Sequence, residues 1–243
     1  MTPFSLLIGL GATLGLLRVL QNAPESSRIR WLLAALITQA GALVGARAGF
    51  VLTNLGYFQT HGSEIASCVS GGLSWPGALA GGLGFGCIIL VLFKLPILEG
   101  LDRLFRMLLP LALFTWLACW QAGIAYGRPL PAGTAGGLMM MDESGMQTLR
   151  LPLQPLAAAS LILLLGTAEW LLKKAERPGL KAGMIGLIFS LHAVFFSWMR
   201  VDPVQQYLSF RLDTWAAALF SLAALLMLIF ILIRKPQRLE KPS

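Results

Sequence analysis

Residues 41–60 read GALVGARAGFVLTNLGYFQT. Apart from Arg47, the run has the composition of a membrane-crossing helix, and no adjacent residue offers the arginine a countercharge. A guanidinium at the centre of such a helix costs about 2.5–3.5 kcal/mol on insertion scales. It is therefore normally paired, snorkelling to an interface or lining a ligand path, and the rest of the chain decides which.

Of the 243 residues, 56% are hydrophobic and 12% charged, and the mean hydropathy is +0.74. Soluble domains carry about 25% charged residues, so this is the composition of an integral membrane protein. The net charge of +8 would suit nucleic acid, but the basic residues sit in short runs between apolar segments. There they govern topology and attraction to anionic lipid, and no nucleic-acid partner is expected. Cys68, Cys87 and Cys119 show neither CxxC spacing nor interleaved histidines. A structural role is expected for them, with no metal or other cofactor.

Segments long enough for about 30 Å of hydrocarbon lie near residues 3–20, 31–55, 73–98, 104–124, 153–172, 180–199 and 213–233. The expected fold class is an all-α integral membrane protein of seven transmembrane helices, one polytopic domain over residues 1–243. The first segment lacks the features of a cleaved secretory signal and is read as retained. Fourteen of the nineteen basic residues fall on one side: Arg18, Arg28 and Arg30; Lys94, Arg103 and Arg106; Lys173, Lys174, Arg177 and Lys181; and the tail from Arg234. The positive-inside rule makes that side cytoplasmic, with the N-terminus outside and the C-terminus inside.

The other five, Arg47, Arg128, Arg150, Arg200 and Arg211, lie where that rule disfavours them. Arg47 comes about sixteen residues into a helix entering from the cytoplasmic side, which at 1.5 Å per residue is about 24 Å up, in the outer part of the bilayer. Two readings of these arginines stand. Each snorkels or pairs with an acid such as Asp202 or Asp213, or several converge on the phosphate of an anionic lipid, which suits arginine's planar fork of donors.

Three segments carry more than span composition. VSGGLSWPGALAGGLGFG (69–86) is crowded with glycines. Gly72, Gly77 and Gly81 there let a helix, or a lipid tail, approach the backbone closely. Pro76 marks a helix start or follows a re-entrant turn. TWLACWQAGIAYGRPLP (115–131) ends a span with Tyr126 as an expected interfacial anchor and Arg128 at the surface. LHAVFFSWMRVDPVQQ (191–206) leaves the membrane through Arg200 and Asp202, close enough to pair. The chain has two histidines: His61, in the polar loop YFQTHGSEIAS, and His192, inside the sixth span. The glycine-rich connection 125–152 holds Met139, Met140 and Met141, read as a docking surface, a mobile lid or a membrane-surface contact.

Together these segments resemble prolipoprotein diacylglyceryl transferase, the seven-helix bacterial enzyme family that moves diacylglycerol from phosphatidylglycerol onto a lipoprotein cysteine. GARAGFVL (45–52) is similar to the family's Gly-(Gly/Ala)-Arg-Leu-Gly-Tyr-Val element, with Arg47 on its arginine. GLSWPGALAGG (72–82) is similar to Gly-Leu-Ser-Phe-His-Gly-Gly-Leu-(Ile/Leu)-Gly. LACWQAGIAYGRP (117–129) keeps the family's Tyr-Gly-Arg-Pro at Tyr126 to Pro129, LPLQP (151–155) keeps a proline and glutamine at Pro152 and Gln154, and FFSWMRVDP (195–203) puts Arg200 on the family's second arginine. The same alignment puts the family's histidine on Pro76, its signature arginine on Trp116, its asparagines on Cys119 and Ala122, and its glutamate on Ile124. In the last motif it puts an arginine on Ala193 and a glutamate on Ser197.

The transfer needs a base near a thiol and cations on the departing glycerol phosphate. The resemblance implies Arg47, Arg128 and Arg200 as phosphate ligands, with Tyr126 and Gln154 supporting them. His61 and His192 are the candidate bases. The implied partners are phosphatidylglycerol or another anionic phospholipid, with a lipoprotein precursor or a partner membrane subunit, in the bacterial cytoplasmic membrane. Two functions fit: a divergent transferase, or a non-catalytic relative that binds lipid or a partner subunit. A transporter fits less well, because no acid sits in mid-span and no inverted repeat is visible.

Overall fold

A computed structural model describes residues 2–21, 23–67, 72–141 and 145–234, so Cys68 lies outside the described residues. The helices are α1 (Pro3–Leu20), α2 (Arg28–Thr53), the single-turn α3 (Leu55–Phe58), α4 (Trp75–Leu92), α5 (Ile97–Leu104), α6 (Leu108–Gln121), α7 (Leu153–Leu171), α8 (Leu180–Met199) and α9 (Leu212–Ile233). With α5 and α6 joined as one broken crossing, Ile97–Gln121, seven units are long and apolar enough to cross a membrane.

Their starts follow from local chemistry. The Thr2 hydroxyl accepts the Ser5 amide at 3.3 Å ahead of Pro3, and the Ser74 hydroxyl accepts the Gly77 amide at 3.4 Å ahead of Pro76. Proline costs nothing in a first turn, where its missing N–H would have no intrahelical acceptor. Elsewhere it interrupts: Pro96 disfavours helix at Leu95, so the third crossing stops at Leu92 rather than near residue 98, and the fourth starts at Ile97 rather than near 104. A 3-10 turn at Phe105–Met107, just ahead of Pro110, breaks that crossing.

The all-α expectation needs one correction. Two small antiparallel hairpins form outside the spans: β1 (Leu138–Met141) with β2 (Gln147–Arg150), pairing Met140 with Thr148, and β3 (Gln206–Tyr207) with β4 (Phe210–Arg211). The second turns through Leu208 and Ser209, both at positive φ. Strand pairing satisfies backbone groups that no helix covers there.

Two features hold the bundle. At the α2–α4 crossing, glycines of one helix meet the backbone of the other: a Cβ on Gly45 would lie 2.3 Å from the Gly77 carbonyl oxygen, and one on Gly81 would lie 2.3 Å from that of Gly41. Small-residue contact is thus the role of Gly77 and Gly81, whereas Gly72 precedes the helix at φ +79°. At the opposite end to the hairpins, both Asp102 carboxylate oxygens accept backbone amides at the start of α8, Gly179 and Ala182, each at 2.7 Å. Arg18 of α1 pairs with Glu169 of α7 nearby. Outward, the helices expose Leu163, Leu219, Phe230, Ile233 and many other large apolar side chains, the kind of surface that a bilayer covers.

Candidate functional site

The hairpin end gathers four of the five outlying arginines on adjoining backbone. Gly127 bridges Arg200, Pro129 bridges Arg150, and the Val201 amide donates to the Tyr126 carbonyl at 3.1 Å. Arg128, between the two bridges, is exposed, and among the described residues its side chain makes no salt bridge or hydrogen bond. Arg150 lies over the Tyr126 ring, 4.3 Å from its centroid. Tyr126 is therefore buried beneath an arginine rather than set out as an interfacial anchor. Arg200 and Arg211 form a compact network with two acids: Arg200 binds Asp202 at 2.6 and 2.8 Å and Asp213 at 3.2 Å, and Arg211 binds Asp213 at 3.1 Å and Asp202 at 3.3 Å. Arg211 also donates to the Asp202 carbonyl at 2.7 Å, and the Ser197 hydroxyl donates to Asp213 at 2.9 Å. Burial works to push the Asp202 carboxyl up, but Arg200 and then Arg211 outweigh it and hold it below the usual carboxylate value.

Arg47 is buried near the C-terminal end of α2, with its donors aimed at the chain's own carbonyls. Nε reaches Ile65 O at 2.8 Å, Nη2 Glu64 O at 2.5 Å and Nη1 Gly72 O at 3.1 Å, while its guanidinium carbon lies 5.2 Å from the Phe58 ring centroid. It ties the loop after α3 to the membrane helix. Bonds to a charged donor contribute about 1.5–3 kcal/mol each, so Arg47→Ala is expected to destabilise by about 3 kcal/mol or more and to open residues 59–67 to limited proteolysis. Arg47→Lys recovers only part, since an ammonium lacks the fork that spans three acceptors. Proteolysis of wild type and both variants in detergent checks this; equal cleavage in all three would refute it.

The histidines stand apart. His61 is exposed, its ring stacked on Tyr57 at 4.2 Å and its Nδ1 2.9 Å from the Thr60 hydroxyl. His192 is buried between α7 and α8, with Nε2 2.9 Å from the Ser160 hydroxyl and its ring stacked on Phe196 at 4.3 Å. Among the described residues, no hydrogen bond joins either histidine to the arginines. Gln154 is fully buried at the start of α7; its Nε2 donates to Ile124 O at 2.8 Å, and among the described residues its Oε1 has no hydrogen-bond partner. Trp116 fills apolar core, 5.8 Å from the Phe196 ring and packed against Leu161 and Leu165.

The family model for prolipoprotein diacylglyceryl transferase matches residues 1–232, nearly the whole chain. The chain belongs to that family. It is accordingly a multi-pass membrane protein with a diacylglyceryl transferase-like function, in a family that acts on lipid and lipoprotein precursors. A comparison with curated proteins finds no match. Within the family frame, the structure brings Arg128, Arg200 and Tyr126 onto bridged segments, holds Gln154 against the same stretch through Ile124 O, and places Arg47, His61 and His192 elsewhere. Arg211, named from the sequence among the outlying arginines with Asp202 or Asp213 as possible partners, and Ser197 are not among the candidate site residues, yet they complete the ion network. The signal was present as a repeated spacing, Arg-Val-Asp at 200–202 and Arg-Leu-Asp at 211–213.

Proposed function

We propose that this family member binds phosphatidylglycerol at its hairpin end, the head-group phosphate meeting Arg128, and sits in the bacterial cytoplasmic membrane with that end outside. One observation supports the reading: Arg128 is an exposed guanidinium with no internal partner among the described residues, on the segment that bridges those of Arg150 and Arg200. A free arginine fork suits a phosphate. In the transfer reaction the cysteine sulfur bonds to the diacylglyceryl carbon, the bond to glycerol phosphate breaks, and the thiol proton passes to a base. His61 or His192 takes that last role.

A second reading, a non-catalytic relative that holds lipid or a partner subunit, is favoured by a different observation. The Arg47 and Arg200 donors are engaged by acceptors of this chain, and Trp116 occupies apolar core where the resemblance places an arginine.

A transfer assay with purified protein, phosphatidylglycerol and a lipobox peptide, read by mass spectrometry, separates the two. A diacylglyceryl adduct that disappears in His61→Ala or His192→Ala carries the transferase reading. Retained phosphatidylglycerol without an adduct, beside an active transferase control, carries the second. In either case Arg128→Ala is expected to weaken phosphatidylglycerol retention about tenfold, the loss of one charge-assisted contact; unchanged retention would sink the Arg128 assignment.

A further inference from the structure

The end of the bundle opposite the hairpins contains a second basic concavity, distinct from the arginines above. A cleft of about 170 Å³ opens between Arg18 of α1, Arg106 of the 3-10 turn that breaks the fourth crossing, Lys173 of the turn after α7 and Lys181 of α8, with Asp102 and Glu169 in its wall. The volume is more than ten times the roughly 10–15 Å³ that one water needs. Asp102 accepts the Gly179 and Ala182 amides at 2.7 Å each, and Glu169 pairs with Arg18 through Oε2, its buried Oε1 having no hydrogen-bond partner among the described residues. Arg106, Lys173 and Lys181, by contrast, form no salt bridge or side-chain hydrogen bond among the described residues.

Topology alone requires basic residues in loops; it does not require that four helical units aim them into one cleft. Here three uncommitted cations converge beside Arg18, in a wall whose two acids are Asp102, held by backbone amides, and Glu169, paired with Arg18 through one oxygen, at the ends of the spans. That is the chemistry of a pocket for a phosphate group, and basic pockets between spans are recognised by anionic head groups.

We propose that this cleft binds a phosphate, that of an anionic phospholipid in the adjoining leaflet, and that the bound group joins α1, the broken fourth crossing, α7 and α8. The site does not depend on diacylglyceryl transfer and is separate from Arg128.

The test uses the full chain in neutral detergent, with phosphatidylglycerol, phosphatidylcholine or inorganic phosphate as probe, read by native mass spectrometry and thermal shift. At about fivefold per cation near a charged surface, R106Q/K181Q is expected to bind phosphatidylglycerol about twenty-five-fold more weakly at this site. The charge-conserving pair R106K/K181R restores binding. Lys173→Gln, at an exposed side chain whose loss leaves the packing intact, gives about a fivefold loss and keeps the test valid should the double variant not fold. Lys174→Gln at the same end, outside the cleft, leaves this binding unchanged. Stabilisation by phosphatidylglycerol alone identifies a lipid head group as the ligand, whereas equal stabilisation by inorganic phosphate identifies the phosphate group by itself. Equal losses in Lys174→Gln and Lys173→Gln, or binding of phosphatidylcholine as tight as phosphatidylglycerol, would overturn the proposal.

Discussion

Asp202→Asn is expected to lower stability by about 3 kcal/mol or more, because it leaves two largely buried guanidiniums sharing the single carboxylate of Asp213. The side chains of Arg200 and Arg211 are 18% and 8% exposed, and breaking a buried pair by removing one partner typically costs about 3–5 kcal/mol. The double variant R200Q/D202N should recover part of the loss, since it removes a cation together with the anion. The same network fixes the response to acid. Because Asp202 is held below its usual value in the folded chain, the unfolded chain takes up its proton first as pH falls. The stabilisation is therefore complete above the unfolded carboxylate value of about 3.9 and is lost as pH drops through the lower folded value. Melting in detergent between neutral pH and about pH 3 should show this acid limb in wild type and a flatter one in Asp202→Asn. Coincident curves would mean that Asp202 is not the coupled group.

A single methyl at the α2–α4 crossing should have the next largest effect. Gly45→Ala places a Cβ 2.3 Å from the Gly77 carbonyl oxygen and 2.8 Å from the Gly81 Cα. Neither is a side-chain tip that can turn away, so the helices must separate. Overpacking costs about 1–3 kcal/mol where side chains can adjust, and a backbone clash lies at or above the top of that range. Gly84→Ala on the same α4 meets nothing within 4 Å and serves as the control. Equal melting temperatures and yields of the two variants would show that the glycine contact does not limit the fold.

Much of this architecture is legible in the sequence because a bilayer imposes its requirements on composition. A helix crossing hydrocarbon must be apolar along its whole length, which is why α7, α8 and α9 stand close to where hydropathy puts them. Ser74 and Pro76 similarly announce the start of α4. The hairpin β1–β2 leaves no such mark, since Leu-Met-Met-Met has no alternation of polar and apolar residues even though Met140 is buried while Met139 and Met141 are exposed. At the candidate site, Arg200 and Asp202 are legible as a pair because they are two residues apart. The partners of Arg47 are not, because Glu64, Ile65 and Gly72 offer backbone carbonyls, which every residue carries, from 17 to 25 positions away. Trp116 shows the reverse case: the resemblance puts a family arginine at its position, and here the side chain packs against apolar core.

The Asp102 contact also implies an order of assembly. The sixth crossing has no side-chain cap of its own, since its first turn follows Gly179. The group that closes that turn comes from 77 positions earlier in the chain. Chains are built from the N-terminus, so Asp102 leaves the ribosome 77 residues ahead of Gly179. The fourth crossing is thus the mould against which the sixth is finished, and a fragment carrying only the last two crossings would emerge without the carboxylate that completes it.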